Sequence, residues 1–526
     1  METKPIKIVK KQVSAFQNED IDKVVDLLEK QIQQLYLSDE IPWVVGYSGG
    51  KDSTATLQLV WNAIQKLPKD KRWKEIFVIS TDTLVENPVV AMWVTASLEK
   101  MAKQAKEQEM PIFPNRLTPD TNDSFWVNLI GRGYPAPRPK FRWCTERLKI
   151  SPANKFVLNV VNKNSEAIMV LGTRKAESVK RKQTMENYEN STRDLLSRNP
   201  NPQFERVWVY SPIADWINDD VWEYLVTFDN PWGYDNSQLL DMYRAGSEDK
   251  ECPLVIDTTT PSCGDSRFGC FVCTLVDKDK SMEAMINNDE EKKWMTPLSE
   301  FRNKYLDIND HMHREFRRRN GALTLITDKF TGKKKLVPGP YKQSYRKTLL
   351  SEVLKAQEVV RNSGVKGIDD FVLINEDELQ AIRKIWVEER NEIEDEVPRI
   401  YEEFTGKPYP YPERSENQLF SFEDLELLNK EASQNGSLDD IHYQLTRNLI
   451  SIEKKYSSST KRTGIYDEIE SALVKGAFET PDEALLFAKN KYEVNDKADE
   501  VYSNSTDSSG LFEIVEDVED ESELGD

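Results

Sequence analysis

The sequence predicts an α/β protein built on a parallel, twisted sheet with helices on both faces. The first observation is that strand-length apolar runs alternate with helical stretches near 53–66, 87–107 and 145–161, which is typical of βαβ crossovers. The second is that the motifs whose residues suit ligand binding or catalysis follow the ends of these runs, and parallel sheets bind ligands at those ends. The predicted strands are Trp43–Tyr47, Ile76–Ser80, Met110–Phe113, Ala167–Leu171 and Val207–Tyr210.

Other elements surround this sheet. An amphipathic pattern over 17–37 predicts an N-terminal helix, and the remainder of the chain becomes mostly helical and acidic from about 351. Further helices are predicted near 376–403, 420–432 and 440–456. We therefore predict five regions: an N-terminal helical segment (1–40), an α/β domain containing the sheet (41–230), a loop-rich extension with cysteines and basic residues (231–350), a helical accessory domain (351–500) and a disordered acidic tail (501–526).

Composition restricts the classes of protein. The chain has 526 residues, of which 38% are apolar and 31% charged, enough for several packed domains. No run approaches the roughly 20 apolar residues of a membrane span. The first twelve residues lack the apolar stretch of a secretory signal. These features predict a cytoplasmic protein without membrane contact.

The net charge of -20 is concentrated at one end of the sequence. Residues 351–526 carry 19 Lys and Arg against 43 Asp and Glu, whereas residues 1–350 carry 52 against 48. The range 513–526 holds eight acids and no base, a composition typical of disordered, solvated tails. The overall acidity therefore does not exclude a nucleic-acid partner for the first 350 residues.

The strongest motif is the hexapeptide Ser48-Gly49-Gly50-Lys51-Asp52-Ser53, between a predicted strand and a predicted helix. Two glycines allow the backbone to turn tightly and approach a ligand, and amides at a helix start favour an anion. Lys51 adds a cation, and the serines add hydroxyl donors. The G-x-x-x-x-G-K-[ST] pattern of a Walker loop is absent. We therefore predict a phosphate-binding loop, although a glycine turn with a serine cap would also give these residues.

This hexapeptide resembles the S-G-G-x-D-S loop of the ATP pyrophosphatase superfamily, which has an adenine nucleotide alpha-hydrolase-like fold and releases pyrophosphate from ATP. Four later segments resemble its phosphoadenylyl-sulfate reductase branch, and the resemblance covers about 40–275. The matching segments are Thr81-Asp82-Thr83 with Glu86 and Pro88; Arg142-Trp143-Cys144-Thr145 with Leu148 and Lys149; Gly172-Thr173-Arg174 with Glu177, Ser178 and Arg181; and Pro212–Trp216 with Asp220 and Trp222.

The resemblance implies ATP and Mg²⁺ as cofactors of one site. Arg174 and Arg181 have the chemistry to neutralise phosphates, and with Lys51 and Asp52 they form the predicted catalytic set. Asp82 is a candidate ligand for a ribose hydroxyl or Mg²⁺, and Asp52 could coordinate metal or orient the loop. The predicted nucleotide-binding set is the loop Ser48, Gly49, Gly50, Lys51, Asp52 and Ser53 together with Asp82, Gly172 and Arg174.

The cysteines indicate a metal or cluster site. Cys263, Cys270 and Cys273 form C-x6-C-x2-C, and Cys144 would complete four thiolates. Four cysteines suit structural Zn²⁺ or an iron–sulfur cluster, and their spacing does not separate the two. Because Cys144 lies in a motif beside the predicted nucleotide site, a [4Fe-4S] cluster is the interpretation we favour. Cys252 lies outside the pattern and is expected to be a buried or incidental thiol.

The chain as a whole resembles DndC, the ATP-pyrophosphatase sulfurtransferase family of bacterial DNA phosphorothioation, in its length, its cysteine pattern and the basic stretch that follows. The resemblance implies replacement of a non-bridging oxygen of the DNA backbone by sulfur. It also implies three partners besides DNA: a cysteine desulfurase as sulfur donor, an ATPase subunit and a small DNA-binding subunit. No cysteine follows Cys273. A reductase of adenylyl sulfates, which needs a cysteine near its C-terminus, is therefore not expected.

The basic stretch Arg302–Lys347 is the candidate nucleic-acid contact. It carries 13 Lys and Arg against four Asp and Glu, with five interleaved aromatics. Such density provides backbone affinity and stacking for nucleic acid. The alternatives are a solvated basic face or an intramolecular contact with the acidic third of the chain. Two alternative functions remain open from sequence: thiolation of tRNA by the same adenylation chemistry, and a non-catalytic subunit that uses the nucleotide fold for docking.

Overall fold

The computed structural model describes two compact units that interleave along the chain. The first comprises Met1–Pro119, Thr145–Val272 and Lys278–Thr296, and the second comprises Asp120–Cys144, Cys273–Asp277 and Pro297–Asp526. Within these limits, the described residues are 14–17, 19–139, 141–188, 193–199, 201–246, 268–306, 309–327, 332–411, 422–433, 437–457 and 461–502. Cys252, Cys263 and residues 503–526 of the predicted acidic tail lie outside the described residues, whereas residues 501 and 502 belong to the last helix.

The first unit is a mostly parallel sheet with helices on both faces, as the sequence predicts. Its strand order is β3-β2-β1-β4-β6-β5, in which only the short β5 runs antiparallel, against β6. The strands are β1 Trp43–Gly46, β2 Ile76–Thr81, β3 Ile112–Leu117, β4 Ala167–Val170, β5 Ser197–Arg198 and β6 Val207–Tyr210. Four of the five predicted strands are confirmed within one residue at each end. The third is shifted, since β3 begins at Ile112 rather than Met110 and continues to Leu117.

The helices of the first unit connect and cover these strands. Asp20 caps α1 by accepting from the Asp22 amide, so this helix begins four residues later than predicted. The α3 helix begins with Pro88 after the capping residue Asn87. The helices are α1 Ile21–Leu37, α2 Lys51–Gln65, α3 Pro88–Glu107, α4 Ser151–Asn164, α5 Val179–Tyr188, α6 Asn218–Thr227, α7 Asn236–Ala245 and α8 Lys280–Asn288.

The core of this unit follows from the apolar runs. On one face of the sheet, Val44, Ile79 and Val207 pack against Val157 and Val161 of α4. On α2, eleven of fifteen residues are buried, which explains why its sequence carries apolar side chains all round rather than on one stripe. Burying both faces of the central strands accounts for their nearly continuous apolar sequence.

The second unit is mainly helical. It also contains a two-stranded antiparallel sheet, in which β7 Leu325–Thr327 pairs with β8 Lys334–Leu336. The helix predicted over 376–403 is interrupted: α11 ends at Lys384, a π-helical turn covers Ile385–Glu389, and α12 begins after Asp395 in a left-handed conformation. The helices are α9 Thr296–Tyr305, α10 Gln343–Arg361, α11 Glu376–Lys384, α12 Glu396–Thr405, α13 Phe422–Ala432, α14 Ile441–Ser457, α15 Ile465–Lys475 and α16 Pro481–Tyr502.

The segment Asp120–Cys144 is packed inside the second unit. The indole of Trp386 donates to the Ile130 carbonyl at 3.0 Å, and the Tyr341 amide donates to the Gly133 carbonyl at 2.7 Å. A buried ion pair between Arg447 and Glu394, 3.0 Å apart, lies in the same unit.

Among the described helices, none combines the length and the apolar composition that crossing a membrane requires.

Candidate functional site

The phosphate loop lies where the order of the parallel sheet reverses. From β1 the chain proceeds to β2 and β3 on one side, and it returns to β4 and β6 on the other. The crevice between the carboxyl ends of β1 and β4 is therefore a topological switch point, the usual ligand position of open α/β sheets. Ser48–Ser53 follows β1, and Gly172–Arg174 follows β4, so two predicted motifs meet there.

The loop conformation depends on Gly49. Its φ is +73°, in the left-handed region, and a Cβ at this position would lie 2.4 Å from Cγ2 of Val94. The turn is then closed by serines: the Ser48 amide donates to Oγ of Ser53 at 3.1 Å, and the Ser53 hydroxyl donates to the Gly50 carbonyl at 3.0 Å. The serines thus stabilise the loop itself, in addition to any ligand contact.

The first turn of α2 presents backbone amides at the crevice. Gly50 is the N-cap residue and supplies no side-chain acceptor, so the amides of the first turn are not capped by their own N-cap side chain. Unsatisfied amides at a helix start carry partial positive charge and bind anions. This arrangement has the geometry and the sign of charge expected for a polyphosphate.

A charged triad surrounds this helix start. Oδ1 of Asp52 accepts from Nε of Arg174 at 2.6 Å, and Oδ2 accepts from Nζ of Lys51 at 2.9 Å. The side chains of Lys51 and Arg174 are only 14% and 6% exposed. Because both carboxylate oxygens contact cations, Asp52 orients Lys51 and Arg174. Two cations against one carboxylate leave a net positive charge in a poorly solvated place, where charge interactions are strong.

Gly172 allows the end of β4 to approach the helix start. A Cβ at Gly172 would lie 2.7 Å from the Asp52 carbonyl oxygen and 2.8 Å from its carbonyl carbon. Such contacts with backbone atoms cannot be relieved by a side-chain rotation. The glycine is therefore required for the close approach that brings Arg174 to Asp52.

The Pro212–Trp216 segment holds Arg174 and the residue after it through backbone carbonyls. The Trp216 carbonyl accepts from Nη1 of Arg174 at 3.4 Å, and the Ala214 carbonyl accepts from the Lys175 amide at 2.8 Å. Asp220, from the same predicted motif, caps α6 by accepting from the Ile217 amide at 2.8 Å. These residues position the site and have structural roles in it.

Arg181 lies on α5 and pairs with Glu177, four residues earlier on the chain. Its side chain is 46% exposed. The described contacts of Arg181 thus differ from those of Arg174, which is buried against the loop. The catalytic role predicted for Arg181 stays a prediction.

Asp82 follows β2 and is held by protein contacts. Its Oδ1 accepts from the Leu84 amide at 2.8 Å, and its Oδ2 pairs with Arg116. Close by, burial raises the pKa of the Glu86 carboxyl above its ordinary value, and Lys149, 3.8 Å away, acts in the opposite direction. The predicted role of Asp82 with ribose or Mg²⁺ stays a prediction.

Cys270 lies beside the end of β2. Its Sγ is 3.3 Å from Oγ1 of Thr83, and Phe271 donates its amide to the Val85 carbonyl at 3.0 Å. The chain around Cys270 therefore pairs with the segment that follows the predicted Thr81-Asp82-Thr83 motif. This places a cysteine of the C-x6-C-x2-C pattern at the carboxyl edge of the sheet.

The other three predicted cluster ligands are two cysteines of the second unit and one cysteine outside the described residues. Cys144 and Cys273 belong to the second unit, where the Cys273 carbonyl accepts from Nη2 of Arg302 at 2.8 Å. Cys263 lies outside the described residues. Among the residues that are described, no group of three or more His, Cys, Asp or Glu is arranged to hold a metal ion. The four-cysteine [4Fe-4S] site, Cys144, Cys263, Cys270 and Cys273, stays a prediction.

The basic stretch Arg302–Lys347 has several internal partners in the second unit. Arg302 donates to backbone carbonyls of Cys273 and Asp277, and Arg314 donates to that of Gly339. Arg319 pairs with Glu389 at 2.6 Å, and Lys347 pairs with Glu396 at 3.0 Å. Part of this positive charge therefore binds the acidic C-terminal third. Lys333 and Lys335, in the β7–β8 hairpin, are exposed.

Sequence reasoning missed three residues that contact the predicted motifs. Tyr243 reaches the loop from α7, Trp93 of α3 lies against Gly49, and Arg116 of β3 pairs with Asp82. Tyr243 is separated from Lys51 by 192 residues, and no local pattern marks it. Arg116 had a detectable signal, since it occupies the end of a strand neighbouring β2.

Residues 42–274 match the family model of the phosphoadenosine phosphosulfate reductase domain. This part of the chain is therefore similar to that domain, and it contains the mostly parallel sheet with helices on both faces described above. Over 289 residues the chain is 25% identical to an uncharacterized protein of Methanocaldococcus jannaschii, covering 54% of this chain and 47% of the relative. The chain thus spans about half the length of that curated relative.

Two solved structures are similar at low identity. One is the phosphoadenylyl-sulfate reductase of Candida auris in its phosphate complex, at 14% identity and a TM-score of 0.26, covering 44% of this chain and 94% of that one. The other is the U34-tRNA thiolase NcsA of Methanococcus maripaludis with its [4Fe-4S] cluster, at 13% identity and a TM-score of 0.24, covering 54% and 80%.

Proposed function

We propose that this chain is an ATP-dependent sulfurtransferase that adenylylates a DNA backbone phosphate, so that a non-bridging oxygen can be replaced by sulfur. The observation that carries the proposal is the Ser48–Ser53 loop at the switch point of the sheet, with Arg174 from the neighbouring strand held against it by Asp52. An anion-binding helix start flanked by two buried cations fits a triphosphate better than a neutral ligand.

In the first step, the triphosphate of ATP lies along the amides of the α2 start. An oxygen of the acceptor phosphate attacks the α-phosphorus, a new P–O bond forms, and the bond to the β-phosphate breaks. Lys51 and Arg174 stabilise the negative charge that accumulates on the departing pyrophosphate. Electrostatic stabilisation of this kind is the largest contribution to catalysis of phosphoryl transfer. Asp52 holds both cations in place, and Mg²⁺ would share the charge of the triphosphate.

In the second step, a sulfur nucleophile attacks the activated acceptor phosphorus, and AMP leaves with the oxygen that made the first attack. The net result is one oxygen exchanged for one sulfur. A cysteine desulfurase is the proposed source of the sulfur, and because such an enzyme carries sulfur as a persulfide, a thiol reductant supplies the two electrons that release it as sulfide. Cys144, Cys263, Cys270 and Cys273 are the residues that would hold a [4Fe-4S] cluster, which would supply iron with an affinity for sulfide. Cys270, at the carboxyl edge of the sheet, supports this arrangement.

DNA is the proposed acceptor because of the resemblance to the phosphorothioation family and the exposed Lys333 and Lys335 of the hairpin. Both side chains are exposed, which makes them suitable for substitution. A double variant, Lys333→Ala with Lys335→Ala, should weaken DNA binding and make it less sensitive to salt, since each lost phosphate contact lowers the salt dependence.

The test is reconstitution with ATP, Mg²⁺, a sulfur donor and either DNA or tRNA. Pyrophosphate release is measured first, and the nucleic acid is then digested and searched for sulfur-containing nucleotides. Release by the wild type but not by Asp52→Ala, with sulfur in DNA, supports the proposal. Sulfur in tRNA alone would contradict the DNA acceptor while retaining the adenylation step. The absence of release under every reconstitution would favour a docking subunit.

A further inference from the structure

Tyr243 contacts the phosphate loop from a distant helix. Its hydroxyl oxygen accepts a hydrogen bond from the Lys51 amide at 3.3 Å. A Cβ at Gly50 would lie 3.2 Å from the same oxygen, and Nζ of Lys51 is 5.8 Å from the centre of the tyrosine ring. The phenol therefore sits directly over the start of α2.

The ring is held firmly in this position. It packs edge-on against Trp222 at 5.1 Å and against Phe268 at 5.0 Å between ring centres. Burial raises the pKa of the Tyr243 hydroxyl to about 12, so the group is neutral near pH 7. A neutral oxygen held over a helix start offers the Lys51 amide the same kind of acceptor that a phosphate oxygen would offer.

We propose that the Tyr243 hydroxyl competes with the polyphosphate for the Lys51 amide and so sets the affinity of the loop for ATP and for the pyrophosphate product. This inference rests on the proposed function, because it assumes that the loop binds the triphosphate. One amide hydrogen forms a full-strength hydrogen bond to only one acceptor. A phosphate oxygen arriving at this amide must therefore displace the phenol or share its donor. The competition weakens binding and favours release of pyrophosphate.

Removing the Tyr243 hydroxyl should raise the affinity for both ligands. Tyr243→Phe keeps the ring and its contacts with Trp222 and Phe268 but removes the competing oxygen. It should bind magnesium pyrophosphate and magnesium ATP about 2- to 10-fold more tightly, the range corresponding to one neutral hydrogen bond. If the substitution damaged the packing of the protein, it would weaken ligand binding. Tighter binding by Tyr243→Phe therefore could not result from such damage.

The measurement is calorimetric titration of the full chain with each ligand. Tyr224→Phe is the matched control, since Tyr224 is a buried phenol of the same unit that packs against Trp216 and Phe228, and it should leave both affinities unchanged. As a second readout, 3-fluorotyrosine placed at position 243 should change its fluorine resonance when pyrophosphate binds.

The outcomes separate this inference from the function it rests on. If the wild type binds neither ligand, the proposed function fails, and the inference fails with it. If the wild type binds and Tyr243→Phe binds equally or more weakly, the competition is refuted while the nucleotide site stands. An unchanged fluorine resonance on pyrophosphate binding would also refute it.

Discussion

Nε of Arg174 lies 2.6 Å from Oδ1 of Asp52, so a residue that follows β4 is joined to the helix that follows β1. The two residues are 122 positions apart in the sequence. Their contact connects the segments that follow two neighbouring strands and holds a cation beside the phosphate loop.

Arg174→Ala should lower the rate of pyrophosphate release by about 10²–10³-fold, because it removes a preorganised cation from the site of charge development. Arg174→Lys should recover only part of the activity, since a lysine keeps the charge but not the planar fork. Rates of release at saturating ATP are the measurement. Arg193→Ala is the matched control, as Arg193 pairs with Glu166 in the same unit. A wild-type rate in Arg174→Ala would contradict the assigned role.

Gly172→Ala should destabilise the chain by about 1–3 kcal/mol, because the new methyl group would overlap the Asp52 backbone and force β4 away from α2. ATP affinity should fall in parallel. Denaturant unfolding and nucleotide titration are the measurements. Gly269→Ala is the control, since a Cβ there meets no atom within 4 Å. Equal stabilities of the two variants would show that the close approach is not required.

Anaerobically purified protein should contain iron and acid-labile sulfide, with visible absorption near about 400 nm. Serine substitution of Cys144, Cys263, Cys270 or Cys273 should each lower the iron content, because the prediction places one of these thiolates on each iron of the cubane. Cys252→Ser should retain the iron and serves as the control. Zinc in place of iron would leave the adenylation chemistry intact but would contradict the iron–sulfur prediction.

Glu378 predicts a specific pH dependence of stability. Burial raises the pKa of its carboxyl to about 7, whereas an unfolded glutamate releases its proton near about 4.3. Its contribution is therefore fully present below the unfolded pKa and is lost as the pH rises towards 7. Glu378→Gln keeps an acceptor for the Asn375 amide and should stabilise the chain by about 1–3 kcal/mol at pH 8, but not at pH 4.

Unfolding curves at the two pH values test this expectation. Glu376→Gln is the matched control, because Glu376 lies in the first turn of the same helix but is exposed. An equal gain from both substitutions would indicate a general effect of removing negative charge from α11. A loss of stability in Glu378→Gln at pH 8 would contradict the free-energy cost of ionising this buried carboxyl.

The sheet and its phosphate loop could be predicted because their information is local. Apolar runs such as Trp43–Tyr47 encode strands buried on both faces, and the glycines after β1 encode the turn. The sequence does not predict the interruption of the helix expected over 376–403. Asn391 and Asp395 adopt left-handed conformations there, which their residue types permit but do not require.

Contacts between distant segments could not be predicted. Nothing near Tyr243 marks it as a neighbour of Lys51, and the charge count of Arg302–Lys347 does not show that Arg319 binds Glu389 or that Lys347 binds Glu396. The counts were correct, but the partners depend on tertiary packing. The packing of 120–144 with the later helices is equally invisible in the sequence of that segment.

The interleaving of the two units determines how this protein can be dissected. A fragment ending at Thr296 would keep 120–144 but lose Trp386 and Tyr341, whose hydrogen bonds hold Ile130 and Gly133. Trp126, which donates to the Leu373 carbonyl, would lose its acceptor too. A fragment confined to the first unit therefore cannot be obtained by C-terminal truncation alone. It requires internal excision of 120–144 with a replacement linker.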